Sequence, residues 1–227
     1  MIKFKMKNLT LVIPAKNEEE NLIFVLKELK NIDCKKIIVV NEINKKIKNI
    51  KKKYKIIVIK QNLKGYGNAI IQGIKSVKTE LMAIFNADGS FDPKFLFNIK
   101  RNNLKRKFLL ASRYEEGASS DDDTIITYVG NKIFTFLGNI LFNLKISDIL
   151  YTYIIGKTSN FKKLNLKSKD FRLCVEIPIK AKKNHFLLKS IPSHERSRIS
   201  GKKNVNALKD GLLILFYLLK NIKYFKN

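Results

Sequence analysis

Short apolar runs alternate with helix-patterned segments through the first half of the chain, and this alternation limits the possible folds more than any other feature. The apolar runs cover residues 9–14, 35–40, 54–60, 81–85 and 107–113. The segments between them carry apolar residues at helical spacing, as in residues 18–31. Strands that are apolar on both faces and separated by helices are typical of a parallel sheet covered on both sides. We therefore predict an α/β fold with a Rossmann-like, mostly parallel central sheet flanked by helices.

The second half of the chain has a less regular pattern. A polar loop leads into an apolar helix at about residues 125–144, and a strand and a basic loop occupy residues 186–204. An amphipathic helix is predicted at about residues 204–227, and its unbroken apolar run, Gly211–Leu219, is far shorter than the roughly 20 residues that span a bilayer. A length of 227 residues is consistent with a single domain over residues 1–227.

The chain is strongly basic, with 46 Lys and Arg against 19 Asp and Glu, a net charge of +27. The lysines are spread over the whole sequence, and no nucleic-acid-binding motif accompanies them. We therefore interpret most of them as surface residues and do not expect a nucleic-acid partner, while an anionic membrane remains a candidate partner. The two cysteines, Cys34 and Cys174, are far apart, which predicts neither a disulfide framework nor a metal site and favours a cytoplasmic location.

Polar residues follow several of the predicted strands. The first strand runs through Pro14 and Ala15 into a polar, acidic segment, and the second is followed by Asn41 and Glu42. The fourth strand ends in the segment 86–88, Asn-Ala-Asp. Because the carboxyl ends of parallel strands meet at one sheet edge, these residues are expected to form a ligand site there. A turn at Lys64–Gly67, before a predicted helix, could in addition bind an anion.

These motifs, in this order, resemble those of the family 2 glycosyltransferases with the GT-A fold, and most closely the polyprenol-phosphate sugar transferases of the dolichol-phosphate mannosyltransferase type. The family's opening motif matches residues 13–18, its "GKGxAxxxG" motif matches residues 64–73 in part, and its Asp-x-Asp motif falls on residues 86–88. Later matches are the segments 112–114, 147–148, 195–196 and 198–201.

The resemblance implies that residues 9–113 bind a nucleotide sugar and that residues 114–203 bind the acceptor. The donor would be a UDP- or GDP-sugar, bound by Pro14, Ala15, Asn17, Glu18, Asn41, Glu42, Lys64, Gly65, Asn86 and Asp88. A divalent cation, Mg²⁺ or Mn²⁺, would be held against the diphosphate by Asp88, with Asn86 and Ser90 beside it. The implied chemistry is an inverting displacement with Asp88, Arg113 and Asp148 as catalytic residues.

The resemblance also implies a polyprenyl phosphate acceptor, which is already anionic and needs cations rather than a base. Arg113, Arg198 and Lys202 are the candidate phosphate ligands. If the acceptor were instead a saccharide hydroxyl in cell-envelope or surface polysaccharide synthesis, a base would be required, and Asp148 or the Asp121–Asp123 cluster would be the candidates.

The chain departs from the family pattern at several positions. The paired acids after the second strand are Asn41 and Glu42, and the first acid of Asp-x-Asp is Asn86. The family's Gly-Phe-Arg-like segment reads Thr152-Tyr153-Ile154, and Lys203-Asn204 stands where a Ser-Lys pair often closes the basic loop. A basic binding protein on a catalytically weakened scaffold is therefore a second hypothesis. Sugar-1-phosphate nucleotidyl transfer is a poorer one, because "PAKNEEEN" replaces the glycine- and arginine-containing turn that it requires.

The C-terminal helix indicates where in the cell the protein acts. Its apolar residues include Leu208, Leu212, Phe216 and Leu219, and lysines flank them. Ile214, Tyr217 and Leu218 were expected to widen this apolar surface beyond one stripe. Such a helix would lie in the plane of an anionic membrane, so we predict peripheral contact with the cytoplasmic membrane face.

Overall fold

A computed structural model describes residues 4–201 and 207–222 of the chain. Their centre is a seven-stranded sheet with the strand order β3-β2-β1-β4-β7-β5-β8, and two further short strands, β6 and β9, pair with each other. The strands are β1 Phe4–Ala15, β2 Ile32–Val40, β3 Ile57–Lys60, β4 Leu81–Ile84, β5 Lys107–Ser112, β6 Ser119–Ser120, β7 Ile154–Lys157, β8 Leu187–Pro192 and β9 His194–Glu195. The predicted mostly parallel sheet is confirmed, since β7 alone among the seven runs antiparallel to its neighbours.

Helices cover both faces of this sheet. They are α1 Glu19–Glu28, α2 Lys45–Lys53, α3 Tyr66–Ser76, α4 Ile125–Phe142, α5 Thr158–Lys163, α6 Leu173–Lys183 and α7 Ala207–Asn221. Successive residues of β1 point to opposite sides: Leu11 and Ile13 join the core beneath α1 and α2, whereas Val12 joins the core beneath α3 and α6. The sheet therefore has two buried faces, as the unbroken apolar runs of its strands predict.

Several details differ from the sequence-based expectation. Residues Pro93–Arg101, expected to form an ordinary helix, form a 3-10 helix that is capped by the Asp92 side chain, which accepts a hydrogen bond from the Lys94 amide at 2.9 Å. The antiparallel strand β7 and the helices α5 and α6 were not predicted. In α6 the apolar residues are not confined to one stripe, and Pro178 lies inside the helix, so the helical signal is weak there.

The C-terminal helix is present as α7, and the parts of the prediction at residues 204–206 and 223–227 lie outside the described residues. Leu208, Leu212, Phe216 and Leu219 are exposed, as expected for an outward stripe. Ile214 and Leu218 are buried in the core, and Tyr217 packs against it, so the apolar surface is not widened by these three residues as predicted. Their burial is the ordinary packing of one side of a helix against a core.

Candidate active site

The carboxyl ends of β1, β2 and β4 lie side by side because β1 pairs in parallel with both of the other strands. Ala15 ends β1, Asn41 and Glu42 follow β2, and the 86–88 segment follows β4. The chain leaves β1 through Asn17, whose φ of 56° lies in the left-handed region that Asn tolerates better than most residues. The fold thus brings the predicted donor-binding residues of these three strand ends to one edge.

Two adjoining cavities open at this edge, and they share Asn17 and Glu19. The larger has a volume of about 350 Å³ and is lined by Lys16, Asn17, Glu18, Glu19, Glu20, Asn21, Lys46, Ser200 and Gly201. The smaller, of about 180 Å³, is lined by Ala15, Asn17, Glu19, Val40, Asn41, Glu42 and Asn44. Five of the ten predicted donor-binding residues, Ala15, Asn17, Glu18, Asn41 and Glu42, therefore line these cavities. Pro14 lies one residue earlier, within β1 and opposite Val39.

Asp88 occupies a tight turn directly after β4. Its Oδ1 accepts hydrogen bonds from the Ser90 amide at 3.1 Å and from Ser90 Oγ at 2.7 Å. No donor among the residues that the structure describes bonds to its other carboxylate oxygen, Oδ2. Gly89 between them has a φ of +85°, and a Cβ there would lie 2.4 Å from Cδ1 of Ile199, so only glycine fits.

The residues around Asp88 suit a weak site for a hard cation. Asp88, Asn86 and Ser90 offer only oxygen ligands, which Mg²⁺ and Mn²⁺ prefer. Within the described residues, no group of three or more His, Cys, Asp or Glu side chains could hold a metal. A cation held by a single carboxylate would need further oxygens from water and from a bound diphosphate, so the donor set fits a metal that binds together with its nucleotide.

The basic loop after β8 closes over the same edge. Arg198 Nη2 donates to Glu18 Oε1 at 2.8 Å, and both side chains are largely buried. The Ile199 amide donates to the Asp88 carbonyl at 3.0 Å, and Ser200 Oγ lies 2.6 Å from Asn21 Oδ1. The predicted residues Glu18, Asp88 and Arg198 are thereby held together, whereas Lys202, the next predicted cation, lies outside the described residues.

Arg113 lies at the end of β5, in a cluster of buried carboxylates. Its Nε and Nη2 donate to Oδ2 and Oδ1 of Asp148 at 2.7 and 3.0 Å, and its Nη1 donates to Glu195 Oε2 at 3.3 Å. The side chains of Arg113 and Asp148 are only 8% and 0% exposed. Burial disfavours the charge of Arg113, but the attraction of Asp148 and Glu195 together outweighs burial and raises the pKa of the guanidinium.

Asp148 is fully engaged in this cluster. Besides the guanidinium, its oxygens accept hydrogen bonds from the backbone amides of Arg113, Leu150 and Tyr151. These contacts favour a positioning role for Asp148 over proton transfer. That Arg113 binds an acceptor phosphate stays a prediction, and such a phosphate would share the guanidinium with the surrounding carboxylates.

The turn at Lys64–Gly67 is shaped by a neighbouring loop. A Cβ on Gly65, whose φ is +116°, would lie 2.1 Å from the Lys169 carbonyl oxygen. The same carbonyl accepts a hydrogen bond from the Asn68 amide at 3.2 Å, so the amide is occupied by protein. Lys64 itself is exposed, and its role toward an anion stays a prediction.

Comparison with known proteins identifies the family. The sequence model "Glycosyl transferase family 2" matches residues 10–164, well over half of the chain. The chain belongs to glycosyl transferase family 2. Its fold is the GT-A fold, and the chain is a glycosyltransferase, as the motif resemblance predicted.

Two relatives in sequence and one protein of known structure illustrate the similarity. An uncharacterized protein of Methanocaldococcus jannaschii is 29% identical over 190 residues, covering 80% of this chain and 78% of its own. The UDP-N-acetylglucosamine–dolichyl-phosphate N-acetylglucosaminyltransferase of Methanococcus voltae is 26% identical over 212 residues, with coverages of 82% and 84%. Glucosyl-3-phosphoglycerate synthase of Mycobacterium tuberculosis, crystallised with Mn²⁺, UDP and glucosyl-3-phosphoglycerate, is 11% identical with a TM-score of 0.68, covering 96% of this chain and 80% of that one. The same synthase has also been crystallised with Mg²⁺ and UDP.

In this glycosyltransferase Tyr66 contacts Asn86 and Thr152, and all three residues depart from the family pattern. Tyr66, which stands where the "GKGxA" motif has lysine, donates to Asn86 Oδ1 at 3.3 Å and lies 2.6 Å from Thr152 Oγ1. Burial raises the pKa of Tyr66, which keeps the phenol neutral. A chain that followed the motif would place lysine and aspartate at positions 66 and 86, and this chain places a neutral pair there instead. The losses of the two opposite charges compensate each other, so Asn86 is not by itself a sign of a decayed site.

Sequence reasoning missed several residues of this site. Asn21 and Asn44 were not predicted, although Asn21 is the last residue of the "PAKNEEEN" segment, and its amide donates to the Ser200 carbonyl at 3.1 Å. Asn44 caps α2 through the Ile47 amide and donates to Glu19 Oε1 at 2.8 Å. Glu195 was noted only as part of a motif. Its partner Ser120 lies 75 residues earlier, in a segment that carries no recognisable signal.

Proposed function

We propose that this glycosyltransferase transfers a sugar from a UDP- or GDP-sugar to a polyprenyl phosphate, with inversion at the anomeric carbon and with Mg²⁺ or Mn²⁺ as cofactor. The observation that carries the donor half of this proposal is the meeting of three strand ends at Asp88, beside two cavities large enough for parts of a nucleotide sugar. The lipid acceptor is supported by the dolichyl-phosphate relative, which the chain covers to 84% of its length.

The residues of the strand edge would bind and orient the donor. The neighbourhood of Ala15, Asn17 and Asn41 would take the nucleoside, and Asp88 would lie at the diphosphate. When bound, the cation would neutralise charge that develops on the leaving diphosphate. Ser90 would keep the Asp88 carboxylate in one orientation through its two hydrogen bonds.

The acceptor step needs no base if the acceptor is a phosphate. An acceptor phosphate oxygen would form the new bond to the anomeric carbon, while the bond from that carbon to the diphosphate breaks and the nucleoside diphosphate leaves with the electron pair. For a saccharide hydroxyl a base would be required, and the hydrogen bonding of Asp148 to Arg113 and to three amides argues against Asp148 in that role, which leaves the Asp121–Asp123 cluster as the alternative.

Location is a further part of the proposal. A polyprenyl phosphate is held in a membrane, so the enzyme would act as a peripheral protein at the cytoplasmic membrane face. The free thiols of Cys34 and Cys174 are consistent with a reducing compartment. A role in cell-envelope polysaccharide synthesis would follow from a lipid-linked sugar product.

A transfer assay tests the proposal directly. Radiolabelled UDP- and GDP-sugars are incubated with polyprenyl phosphate in detergent, and label is measured in the organic phase with MnCl₂ or with EDTA. Metal-dependent transfer that is lost in the Asp88→Asn variant is the expected result. Transfer to a saccharide but not to lipid would overturn the acceptor, and binding of nucleic acid without transfer of any sugar would favour the binding-protein hypothesis.

A further inference from the structure

Helix α4 has an unusual distribution of side chains, because many of its large apolar residues point outward. Six of them are exposed and recur at helical spacing along one side: Ile125, Ile126, Val129, Ile133, Phe136 and Ile140, with exposures between 48% and 83%. Lys132 is the only charged residue in the helix. Exposed apolar patches of this extent on a folded protein mark a surface that contacts something other than water.

The fully buried positions of α4 are mostly small or polar, while Phe134, Leu137 and Leu141 are partly buried and pack against the core. The Asn131 amide donates to Tyr114 Oη at 2.7 Å, and Thr135 Oγ1 accepts from the Ile149 amide at 3.1 Å. Gly138 packs against Ile149, and Phe142 is the one large apolar side chain that is fully buried along this side. A helix of a soluble surface normally has the opposite arrangement.

Length and composition alone would allow α4 to cross a membrane. It has 18 residues with a mean hydropathy of 1.3, and it is the one helix of the described residues that meets both conditions. However, the hydrogen bonds of Asn131 and Thr135 tie its inner side to the domain, and Asn139 bonds to both the amide and the carbonyl of Ile146. Spanning would break these contacts, whereas lying flat would preserve them.

Helix α7 extends the same surface. It packs against α4, and both helices bury their inner sides in one core cluster. Its outer side exposes Leu208, Leu212, Phe216 and Leu219 by 51–83%. Because the two helices touch and share one core, their outer sides are adjacent, and we name the exposed residues of both the α4–α7 face.

The charge of the molecule distinguishes between possible occupants of this face. Two copies of a chain with a net charge of +27 repel each other, which disfavours a second copy. The same charge attracts an anionic lipid surface, and each lysine near such a surface contributes about 1 kcal/mol. Apolar side chains framed by lysines are the pattern of helices that lie in the membrane interface.

The position of the face agrees with a lipid occupant. Helix α4 starts two residues after Asp123, whose Oδ2 accepts a hydrogen bond from Tyr114 Oη at 2.6 Å and whose Oδ1 lies 3.6 Å from Arg113 Nη1. Tyr128 of α4 packs edge-on against Tyr114 with ring centroids 5.4 Å apart. The exposed Ile125 and Ile126 thus lie at the end of α4 that adjoins the Arg113 cluster.

We propose that the α4–α7 face inserts in plane into one leaflet of an anionic membrane, with α4 as the main contact and with its first turn beside the acceptor site. A lipid phosphate could then reach Arg113 without leaving the bilayer. The approach of a lipid phosphate to Arg113 rests on the proposed lipid-phosphate acceptor, whereas membrane insertion rests on the exposed apolar side chains of the α4–α7 face.

Tryptophan reporters test insertion, since the chain has no tryptophan of its own. Phe136→Trp and Phe216→Trp are mixed with vesicles of phosphatidylcholine and phosphatidylglycerol, and Leu187→Trp is the matched control because Leu187 on β8 is 62% exposed, like Phe136. The first two are expected to shift their emission to the blue and to be quenched by brominated lipids, while the control is not. Absence of both effects at position 136 would overturn the proposal.

Depth and occupant are tested in the same system. Ile126→Trp and Ile140→Trp, near opposite ends of α4, should report equal depth with lipids brominated at different carbons, whereas unequal depth would mean a spanning helix. A blue shift that appears without lipid and grows with protein concentration would mean a second copy. Either of these results would overturn the proposal.

A pair of charge variants separates the face from the catalytic proposal. Phe136→Glu is expected to weaken vesicle binding about tenfold or more, because the burial of the Phe side chain in the bilayer is lost. Leu187→Glu makes the same change of charge outside the face, and its vesicle binding should stay within about fivefold of that of the wild type. Both should keep transfer to a short-chain polyprenyl phosphate in detergent. If Phe136→Glu binds vesicles as tightly as the wild type does, the proposed membrane contact of the α4–α7 face is wrong, even if transfer occurs. If the wild type binds vesicles but transfers no sugar, only the proposed acceptor is wrong.

Discussion

The strand-edge site around Asp88 and the cluster around Arg113 lie at the same edge of the sheet, yet their charged side chains differ in burial and in hydrogen bonding. Asp88 keeps one carboxylate oxygen without a hydrogen bond among the described residues, and it lies at the sheet edge where the two cavities open, although it lines neither. Arg113 and Asp148 are almost completely buried, and their charged groups bond to each other. A buried charge whose partners are supplied by the protein contributes to stability whether or not it also meets a ligand, whereas a carboxylate with an unused oxygen is directly available to one.

The largest effect is expected from breaking the buried cluster. Arg113→Met should lower the free energy of unfolding by about 3–5 kcal/mol, because it leaves the carboxylates of Asp148 and Glu195 buried without a countercharge. Urea unfolding measures this loss. Arg172→Met is the matched control, since the Arg172–Asp170 pair is about one-third exposed and should contribute less than about 1 kcal/mol. Equal losses in the two variants would show that the Arg113 cluster is not structurally special.

Neutralising Asp88 should lower activity and leave stability unchanged. Asp88→Asn retains an oxygen that can accept the hydrogen bonds of Ser90 but removes the charge, so transfer should fall on the order of a hundredfold or more. Initial rates and Mn²⁺ binding in the presence of UDP are measured alongside thermal unfolding. Asp92→Asn carries the same charge change at a residue that only caps the 3-10 helix, and should keep transfer within a few-fold. Full activity in Asp88→Asn would remove Asp88 from the site.

The contrast between these two regions also explains what the sequence could and could not predict. The strand ends were predictable because one local pattern, an apolar run that stops at polar residues, determines the edge at which Asp88 and Asn41 lie. The bonds of Arg113 to Asp148 and Glu195 join residues 35 and 82 positions apart, and no local pattern specifies such a pairing. The outward apolar side of α4 was visible only as an apolar helix, since periodicity does not say which side faces the core.

A smaller effect is expected at the Tyr66–Asn86 contact, two residues before Asp88. Asn86→Asp adds a second carboxylate near Asp88 and should tighten Mn²⁺ binding roughly fivefold, about 1 kcal/mol, while its oxygen still accepts from Tyr66. Adding Tyr66→Lys should remove most of that gain, because the lysine pairs with the new carboxylate. Calorimetric titration of the two single variants and the double variant measures the coupling. If Asn86→Asp weakens binding, the amide has a specific role that charge does not explain.

The smallest effect concerns how the buried cluster responds to pH. Burial raises the pKa of the Glu195 carboxyl, and the nearby Arg113 only partly opposes this. Between the ordinary glutamate pKa and the raised one, the folded chain holds a proton that the unfolded chain releases, so Glu195 makes the protein less stable as pH rises through that window. Glu195→Gln cannot titrate, and wild type should therefore gain stability relative to this variant as the pH is lowered toward the ordinary glutamate range. Urea unfolding across that range measures the difference, with Glu116→Gln at an exposed position as the control for net charge. A relative gain on raising the pH would mean that the attraction of Arg113 outweighs burial and lowers the pKa of the Glu195 carboxyl.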